Sequence, residues 1–520
     1  MPRNRHRRAR PRPMAAPPLR SPRHILRRNR PMTSYSTAII DAESIAGSGT
    51  PIRVVDPSTE EVIAEVPEAE DALVDRAVTS ARAAFDRGEW RSMSVEQRQG
   101  VLRACADAID AAADRIADVE CANTGIPYAQ VRQGQVVRAA GNFRFFADYI
   151  GQMTAELYEQ DPNYLTFVRR EPVGVAALIS PWNSPLALGS MKVASAIAFG
   201  NSCVLKPAEQ DPLGLTMLVE TIQGAGLPPG VVNLVNGFGA SVGDRLVRHP
   251  GIDCVSFTGG TRTGRIIMSA AGANLKPSVM ELGGKSANII FDDADFETAL
   301  DGALIGIFTN NGQQCLAGSR VLVQRGIYKR FVEAFVERAN KVRVGNPRDA
   351  ATEIGPLATR QHYDHVMSFV PSAADQGARI LAGGDRAEGF ERGFYFQPTI
   401  AEVDSNDHRL CQEEIFGPFA TLMPFDTDED AYRIANESRF GLVGYAWSRD
   451  IGRIMAAQER VSAGTIWCNT PMFRDLRAPF GGYRESGVGA EGGRAAEAFY
   501  TRQKAVSIPR RPLNLRKMGA

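Results

Sequence analysis

Of the seven cysteines in this chain, one sits where a nucleophile could work. Cys315 lies in Thr309-Asn-Asn-Gly-Gln-Gln-Cys-Leu-Ala-Gly-Ser-Arg320, a polar, glycine-punctuated turn between two apolar runs. A thiol with its ordinary pKa of about 8.5 is mostly protonated at neutral pH, so attack requires a base, a helix N-terminus or a cation nearby. Met280-Glu-Leu-Gly-Gly-Lys-Ser286 offers the base, Glu281, followed by two glycines that permit close backbone approach. Taken alone, a free cysteine reads equally well as a small buried hydrophobe. The remaining cysteines form no C-x-x-C pair and no cluster with histidine, so neither a disulfide framework nor a metal site is expected. None of the six histidines falls in a motif of the Ser-His or Cys-His kind.

Those residues need a scaffold, and the hydrophobic pattern supplies one. A strand pair is expected over 52–66, helices over 71–86, 94–123 and 130–149, and an alternating strand over 164–170. Strands at 173–180, 202–206, 231–235, 254–258 and 286–291 then alternate with helices at 185–199, 212–225, 240–249 and 261–271. Strands separated by 10 to 15 helical residues argue for α/β architecture with a doubly wound parallel sheet, the dinucleotide-binding arrangement. Thr258-Gly-Gly-Thr-Arg-Thr-Gly264 closes a strand and opens a helix as a phosphate turn does, though it does not spell G-x-G-x-x-G. Lys206 and Glu209 follow the second strand at its carboxyl end, where open α/β sheets bind ligands. A second alternating region runs from 292 to 469, with strands expected at 319–324, 378–382, 420–425, 443–448 and 464–468.

The 520 residues exceed what one core normally serves, so two or three domains are expected. Hydrophobic content of 44%, charged content of 23% and a net charge of +1 describe an ordinary globular protein and give no argument for nucleic acid or membrane as partner. No stretch reaches the roughly 18 apolar residues of a membrane span, and no apolar signal-peptide core is found. A cytoplasmic enzyme with reduced thiols is expected. Residues 1–32 are arginine- and proline-rich with no acidic residue, and read as a disordered basic leader: a transit segment, or sequence upstream of a true start at Met32.

Several motifs taken in order carry a resemblance. Pro181-Trp-Asn-Ser-Pro185, Lys206-Pro-Ala-Glu209, Glu281-Leu-Gly-Gly-Lys285, Gly312-Gln-Gln-Cys-Leu-Ala-Gly-Ser-Arg320, Glu414-Ile-Phe-Gly-Pro418 and Pro479-Phe-Gly-Gly482 together resemble the aldehyde dehydrogenase superfamily. The resemblance implies an NAD-binding domain over 33–151 and 172–283, an α/β catalytic domain over 284–498, and a small β oligomerisation element over 152–171 and 499–520, in a homodimer or homotetramer. It implies that Cys315 attacks the aldehyde, that Asn183 and the Cys315 backbone N–H stabilise the oxyanion, and that Glu281 activates the water that releases the acid. Superfamily members that transfer the acyl group to coenzyme A lack that glutamate, so hydrolysis is favoured over the CoA-acylating alternative.

By the same resemblance Ser180, Pro181, Trp182, Gly259, Gly260, Thr261, Gly264 and Leu282 contact the dinucleotide, Lys206 and Glu209 its adenosine ribose, and Glu414 and Phe416 its nicotinamide end. A carboxylate at Glu209 repels a 2′-phosphate, so NAD is expected over NADP. Gly260 stands where the family usually has serine, which shifts phosphate binding onto backbone N–H groups. Phe473-Arg-Asp-Leu-Arg-Ala-Pro-Phe-Gly-Gly482 resembles the muconic semialdehyde dehydrogenases of aromatic catabolism, including the 5-carboxymethyl-2-hydroxymuconate type. Arg474 and Arg477, with Arg132 as a third candidate, are expected to hold a substrate carboxylate. A generic aliphatic, aromatic or betaine aldehyde is the alternative substrate. Two departures from the family pattern are Gly489-Ala-Glu491, where Gly-Arg-Glu is usual, and Arg484, where lysine is common.

Overall fold

The computed structural model describes residues 33–519; the expected leader over 1–32 lies outside them. Two large sheets dominate. In the first, Ser278–Glu281, Cys254–Thr258, Val175–Ile179, Ser202–Lys206 and Val232–Val235 run parallel in that spatial order. Its edges are antiparallel: Gly487–Val488 pairs with Ser278–Glu281, and Ala38–Ile40 pairs with Val232–Val235. The central strands are buried on both faces, which is why Val175–Ile179 and Ser202–Lys206 read as unbroken runs rather than alternations. Helices Pro185–Ala198, Leu213–Gln223 and Thr261–Ala273 cross between them.

The second sheet has the order Arg379–Ala382, Thr399–Glu402, Phe419–Phe425, Arg320–Gln324, Ala287–Ile290, Val443–Trp447, Thr465–Cys468, parallel except at the Arg379–Ala382 edge. A third, three-stranded antiparallel sheet joins Thr501–Pro509, Tyr164–Pro172 and Glu156–Tyr158. The strand pair expected over 52–66 is present as Pro51–Asp56 against Glu61–Pro67.

Four expectations need correction. The strand near 286–291 belongs to the second sheet, and the strand that completes the first is Ser278–Glu281, too short at four residues to stand out as a periodic run. The helix expected over 94–123 breaks at Ala112, whose ψ of 7° ends Val95–Ala111 before Ala113–Thr124 begins. The third early helix opens as a π-helical segment, Val131–Val136, before Val137–Ile150. Thr399–Glu402 was not anticipated; its four residues follow a proline and present no clear alternation. No helix among the described residues is long and apolar enough to cross a membrane.

The two large sheets meet through a five-residue crossing. Ser278–Glu281 ends at its carboxyl end in the first sheet, residues 282–286 cross over, and Ala287–Ile290 enters the second sheet at its amino end. Open α/β sheets bind ligands at carboxyl ends, so this crossing fixes where the chemistry must lie.

Candidate active site

A cavity of about 740 Å³ opens at that junction, within the range of small-molecule sites. The carboxyl ends of four parallel strands contribute Ile179, Lys206, Thr258 and Glu281, and the second half of the chain contributes Cys315, Glu414 and Phe416. Of the residues singled out in the sequence, Ser180, Pro181, Trp182, Asn183, Lys206, Glu209, Gly259, Gly260, Glu281, Leu282, Cys315, Glu414 and Phe416 all line it.

Cys315 is presented by an unusual turn. Phe296–Phe308 ends, and Asn310, Asn311 and Gly312 follow in the left-handed region, at φ 59°, 57° and 71°. Asparagine tolerates that conformation better than other side chains. Asn311 holds it by donating to the carbonyls of Gly125 and Pro356 at 3.1 and 2.9 Å and accepting from Gly355 N at 2.8 Å. The Glu281 crossing packs directly against this turn: a Cβ on Gly284 would stand 2.2 Å from the Cys315 carbonyl oxygen, so only glycine fits. Asn183 is fixed alongside, its Nδ2 donating to Gln313 O at 2.9 Å while Asn310 Nδ2 donates to Asn183 O at 2.8 Å. One N–H of the Asn183 amide remains for a ligand.

Cys315 opens onto the cavity rather than onto bulk water, and burial, then the carboxyls of Glu414 and Glu281, push its thiol up to about 12. The thiol is therefore the resting form. Glu281 is held well above the usual carboxylate range by burial and then by Glu491; Lys192 and Arg474 oppose. Both Glu281 oxygens are buried without a hydrogen-bond partner, as expected of a group kept for a substrate or water. Glu491 is itself anchored by the wholly buried Lys192 at 2.7 Å.

The other end of the cavity suits a dinucleotide. Thr261–Ala273 starts with no side-chain cap, so the N–H groups of its first turn are available to phosphate. Gly260 has open space around its missing Cβ, while Gly264 lies against Leu282, 2.4 Å from a notional Cβ. Thr261 and Gly264 sit behind the lining, with Thr261 Oγ1 donating to Glu485 O. Ser180 Oγ and Thr258 Oγ1 are buried without partners. Lys206 Nζ donates to Glu209 Oε2 at 3.2 Å and to Pro207 O at 2.8 Å, with burial lowering its pKa. Glu414 accepts from Gly284 N at 2.8 Å, and burial lifts its carboxyl to about 7.

The arginines divide differently from the expectation. Arg132 turns away to Asp114 at 2.6 Å, because the π-helical start of its helix points it at the preceding one. Arg477 is 79% exposed and paired with Asp475 at 2.6 Å. Neither reaches the site. Arg474 does not line the cavity either, but it lies within electrostatic range of Glu281: burial and then Arg138 push its pKa down to about 10, with Glu491 and Glu281 opposing. Arg138 was missed. Its Nε is buried and unpartnered, burial lowers its pKa, and its remaining electrostatic neighbours are Glu491 and Cys315. Its sequence signal is six residues beyond Arg132, a different helix face.

Lys192 and Glu491 were also missed as site groups. Lys192 is the lone charge in the apolar helix Pro185–Ala198, the signal that could have found it. Glu491 lies in the departing Gly489-Ala-Glu491 stretch, and the glutamate is the part that reaches the site. Arg484, the other departure, donates to the carbonyls of Asn436 and Ser438 at the surface. His362 and His365, which no motif marked, line the cavity beside Phe416.

Known proteins resemble this chain over most of its length. The chain is 43% identical over 460 residues to a 5-carboxymethyl-2-hydroxymuconate semialdehyde dehydrogenase of Escherichia coli, covering 87% of this chain and 97% of that protein. It is 39% identical over 471 residues to a 2-hydroxymuconic semialdehyde dehydrogenase of Pseudomonas sp. (strain CF600), covering 89% and 97%. Among solved structures, an NAD+ complex of an aldehyde dehydrogenase from Bacillus cereus superposes with a TM-score of 0.90 at 38% identity, covering 92% of this chain and 97% of that one. The model of the aldehyde dehydrogenase family matches residues 45–506. With its cysteine, amide and carboxylate gathered on one cavity, the chain belongs to the aldehyde dehydrogenase family and is an oxidoreductase acting on aldehydes.

Proposed function

We propose that the enzyme oxidises a carboxylate-bearing semialdehyde of the hydroxymuconic type to the diacid, with NAD as electron acceptor. The observation that carries the substrate class is the pairing of Arg138 and Arg474. Burial disfavours the charge of both guanidiniums, Arg138 further disfavours that of Arg474, Glu491 is an electrostatic neighbour of both, and among the described residues neither makes an ion pair within 4.0 Å. A substrate carboxylate placed between them would stabilise both charges. The names of the two semialdehyde dehydrogenase relatives support the same class.

Glu281, once ionised, takes the Cys315 proton, and the sulfur adds to the aldehyde carbon. The free N–H of Asn183 and the Cys315 backbone N–H donate to the oxygen as it gains charge. Bound NAD supplies the hydride acceptor. Glu281 passes the thiol proton to solvent, then accepts a proton from the water that attacks the Cys315 thioester and returns it to the departing sulfur, so that the acid leaves and the thiol re-forms. Because burial and Glu491 hold the proton on Glu281, turnover rises with pH as that carboxyl ionises. Glu209 disfavours a 2′-phosphate, so NAD is used in preference to NADP. Assembly as a dimer or tetramer through the three-stranded sheet, in the cytoplasm, completes the reading.

The test is a steady-state comparison of hydroxymuconic-type semialdehydes with aliphatic, aromatic and betaine aldehydes under NAD and NADP. The expected result is a kcat/KM preference for the carboxylated substrates with NAD; equal or inverted preference overturns the substrate class.

A further inference from the structure

We infer that His362 is a positioning residue for the cofactor, acting through the backbone of Phe416. The inference rests on the reading that Phe416 contacts the nicotinamide end.

Phe416 has φ 61°, a left-handed conformation that a bulky aromatic residue adopts only when its surroundings impose it. The segment 414–418 is imposed upon at three places. Glu414 Oε1 accepts from Gly284 N at 2.8 Å, tying one end to the Glu281 crossing. Gly417 is wedged between two walls: a Cβ on it would meet Val366 at 2.9 Å, and a Cβ on Gly312 would meet Gly417 C at 2.3 Å. Between them, His362 Nε2 lies 2.7 Å from Phe416 O. A carbonyl only accepts, so Nε2 carries the proton.

His362 does this from the helix Arg360–Met367, which also carries Val366. Its ring belongs to a three-ring box. His362 lies 4.9 Å from Trp182 and 5.8 Å from Phe416, and Trp182 lies 5.3 Å from Phe416. All three rings line the cavity with Cys315 and Glu414. Burial keeps the imidazole neutral, with its pKa lowered to about 4, so a fixed N–H rather than a charge makes the contact. Removing that donor frees the Phe416 peptide to leave the left-handed region, and the ring then swings off the nicotinamide end. The Cys315 turn is also held by Asn311 through Gly125, Pro356 and Gly355, and stays in place.

Two substitutions separate the ring from the hydrogen bond. His362→Phe keeps an aromatic ring without a donor; His362→Gln keeps a donor without the ring. With His362→Phe, the Kd for NAD, read from quenching of tryptophan fluorescence, and KM for NAD are expected to rise about tenfold. KM for the aldehyde should change less than about twofold, and His362→Gln should recover NAD affinity to within about threefold. Thermal melting checks that each variant is folded, and if His362→Phe is not, the His362→Gln recovery and a His362→Leu variant decide the matter by the same comparison. Wild-type NAD affinity in the donorless variants, or a His362→Gln defect as large as theirs, overturns the inference. Phe416→Ala tells this failure from that of the reading beneath it: if Phe416→Ala weakens NAD binding while His362→Phe does not, only the role of His362 falls. If Phe416→Ala leaves NAD binding unchanged, the assignment of Phe416 falls with it.

Discussion

Replacing Arg138 by methionine keeps most of the side chain's length while removing its charge, and the structure sets what that should cost. The buried Nε of Arg138 makes no hydrogen bond, so the protein interaction lost with the guanidinium is its electrostatic one with Glu491. Arg474 is a poorer probe, because its Nη1 donates to the carbonyls of Asp475 and Ala478 at 2.9 Å each and its substitution would loosen the 474–478 loop as well. A hydrogen bond to a charged partner contributes about 1.5–3 kcal/mol. At 1.36 kcal/mol per factor of ten, Arg138→Met should lower kcat/KM for a carboxylated semialdehyde about 10- to 150-fold. An uncharged aldehyde of similar length should lose less than about threefold, or gain, because two guanidiniums no longer repel across the site. The loss should fall mainly on KM, as for binding shared by ground and transition states. Arg138→Lys should recover part of it, a point charge replacing a fork. Because both arginines address one carboxylate, the double variant Arg138→Met/Arg474→Met should lose less than the product of the single losses. The assay is NADH absorbance with the two aldehydes in parallel at constant ionic strength. Equal losses on both substrates, or none on the carboxylated one, refute the reasoning.

Four further outcomes follow from the geometry. Cys315→Ser should abolish turnover while NAD still binds, and in the free wild-type enzyme alkylation of Cys315 should quicken with pH without levelling off below about pH 10, since its thiol titrates only near 12; a plateau near neutrality contradicts the burial argument. Glu281→Gln should slow both the first release of NADH and the later turnover, about 10²–10⁴-fold, as expected when the base for thiol activation and for deacylation is lost; a normal steady state removes that role. Gly284→Ala, whose Cβ would collide with the Cys315 carbonyl, should cost at least about 10²-fold in kcat with NAD affinity retained, measured by steady-state kinetics and fluorescence. Glu120 is fully buried, and burial, opposed by the Leu186 backbone, lifts its carboxyl from 4.5 to about 8. The folded state therefore holds a proton that the unfolded chain releases, so stability falls as pH rises from 4.5 to about 8; Glu120→Gln should flatten that fall in melting temperature, and an unchanged slope contradicts it.

What the sequence made legible was the part of the site carried by contiguous motifs. Cys315, Glu281, Asn183 and Glu414 sit in runs whose neighbours are themselves shaped by the site, as Gly284 is shaped by the Cys315 carbonyl. The parallel sheet was legible because strands buried on both faces are apolar throughout. Ser278–Glu281 escaped because four residues hold too little pattern. Arg132 and Arg138 lie six residues apart, and which of them faces the cavity depends on the π-helical turn between 131 and 136, which shifts side-chain phase relative to a regular helix. Arg477 failed for a local reason: Asp475, two residues away, claims it at the surface. His362 was invisible because its role is a bond to a backbone carbonyl 54 positions distant, for which no side-chain type is a signature.

The same burial that hides these groups sets the charge of the resting site. Cys315 holds its proton, Glu281 is held well above the ordinary carboxylate range, and Glu414 is lifted to about 7. Lys192 is neutralised by Glu491. Among the described residues, the cations near the thiol that make no ion pair are the guanidiniums of Arg138 and Arg474, each still favoured by Glu491. A free enzyme of this kind keeps its nucleophile dormant beside two cations, so on the proposed substrate class an anionic semialdehyde is attracted before any sulfur chemistry begins. Activation then requires a proton to leave the pair formed by Cys315 and Glu281, and the ionised carboxyls of Glu414 and Glu281 each raise the pKa of the sulfur. Ionising Glu281 first makes it the acceptor for the thiol proton, whereas ionising Cys315 first would place a thiolate beside two carboxyls in a desolvated site. The order carboxyl before thiol is therefore the lower-energy route, and it places the pH dependence of turnover on Glu281 rather than on the nucleophile.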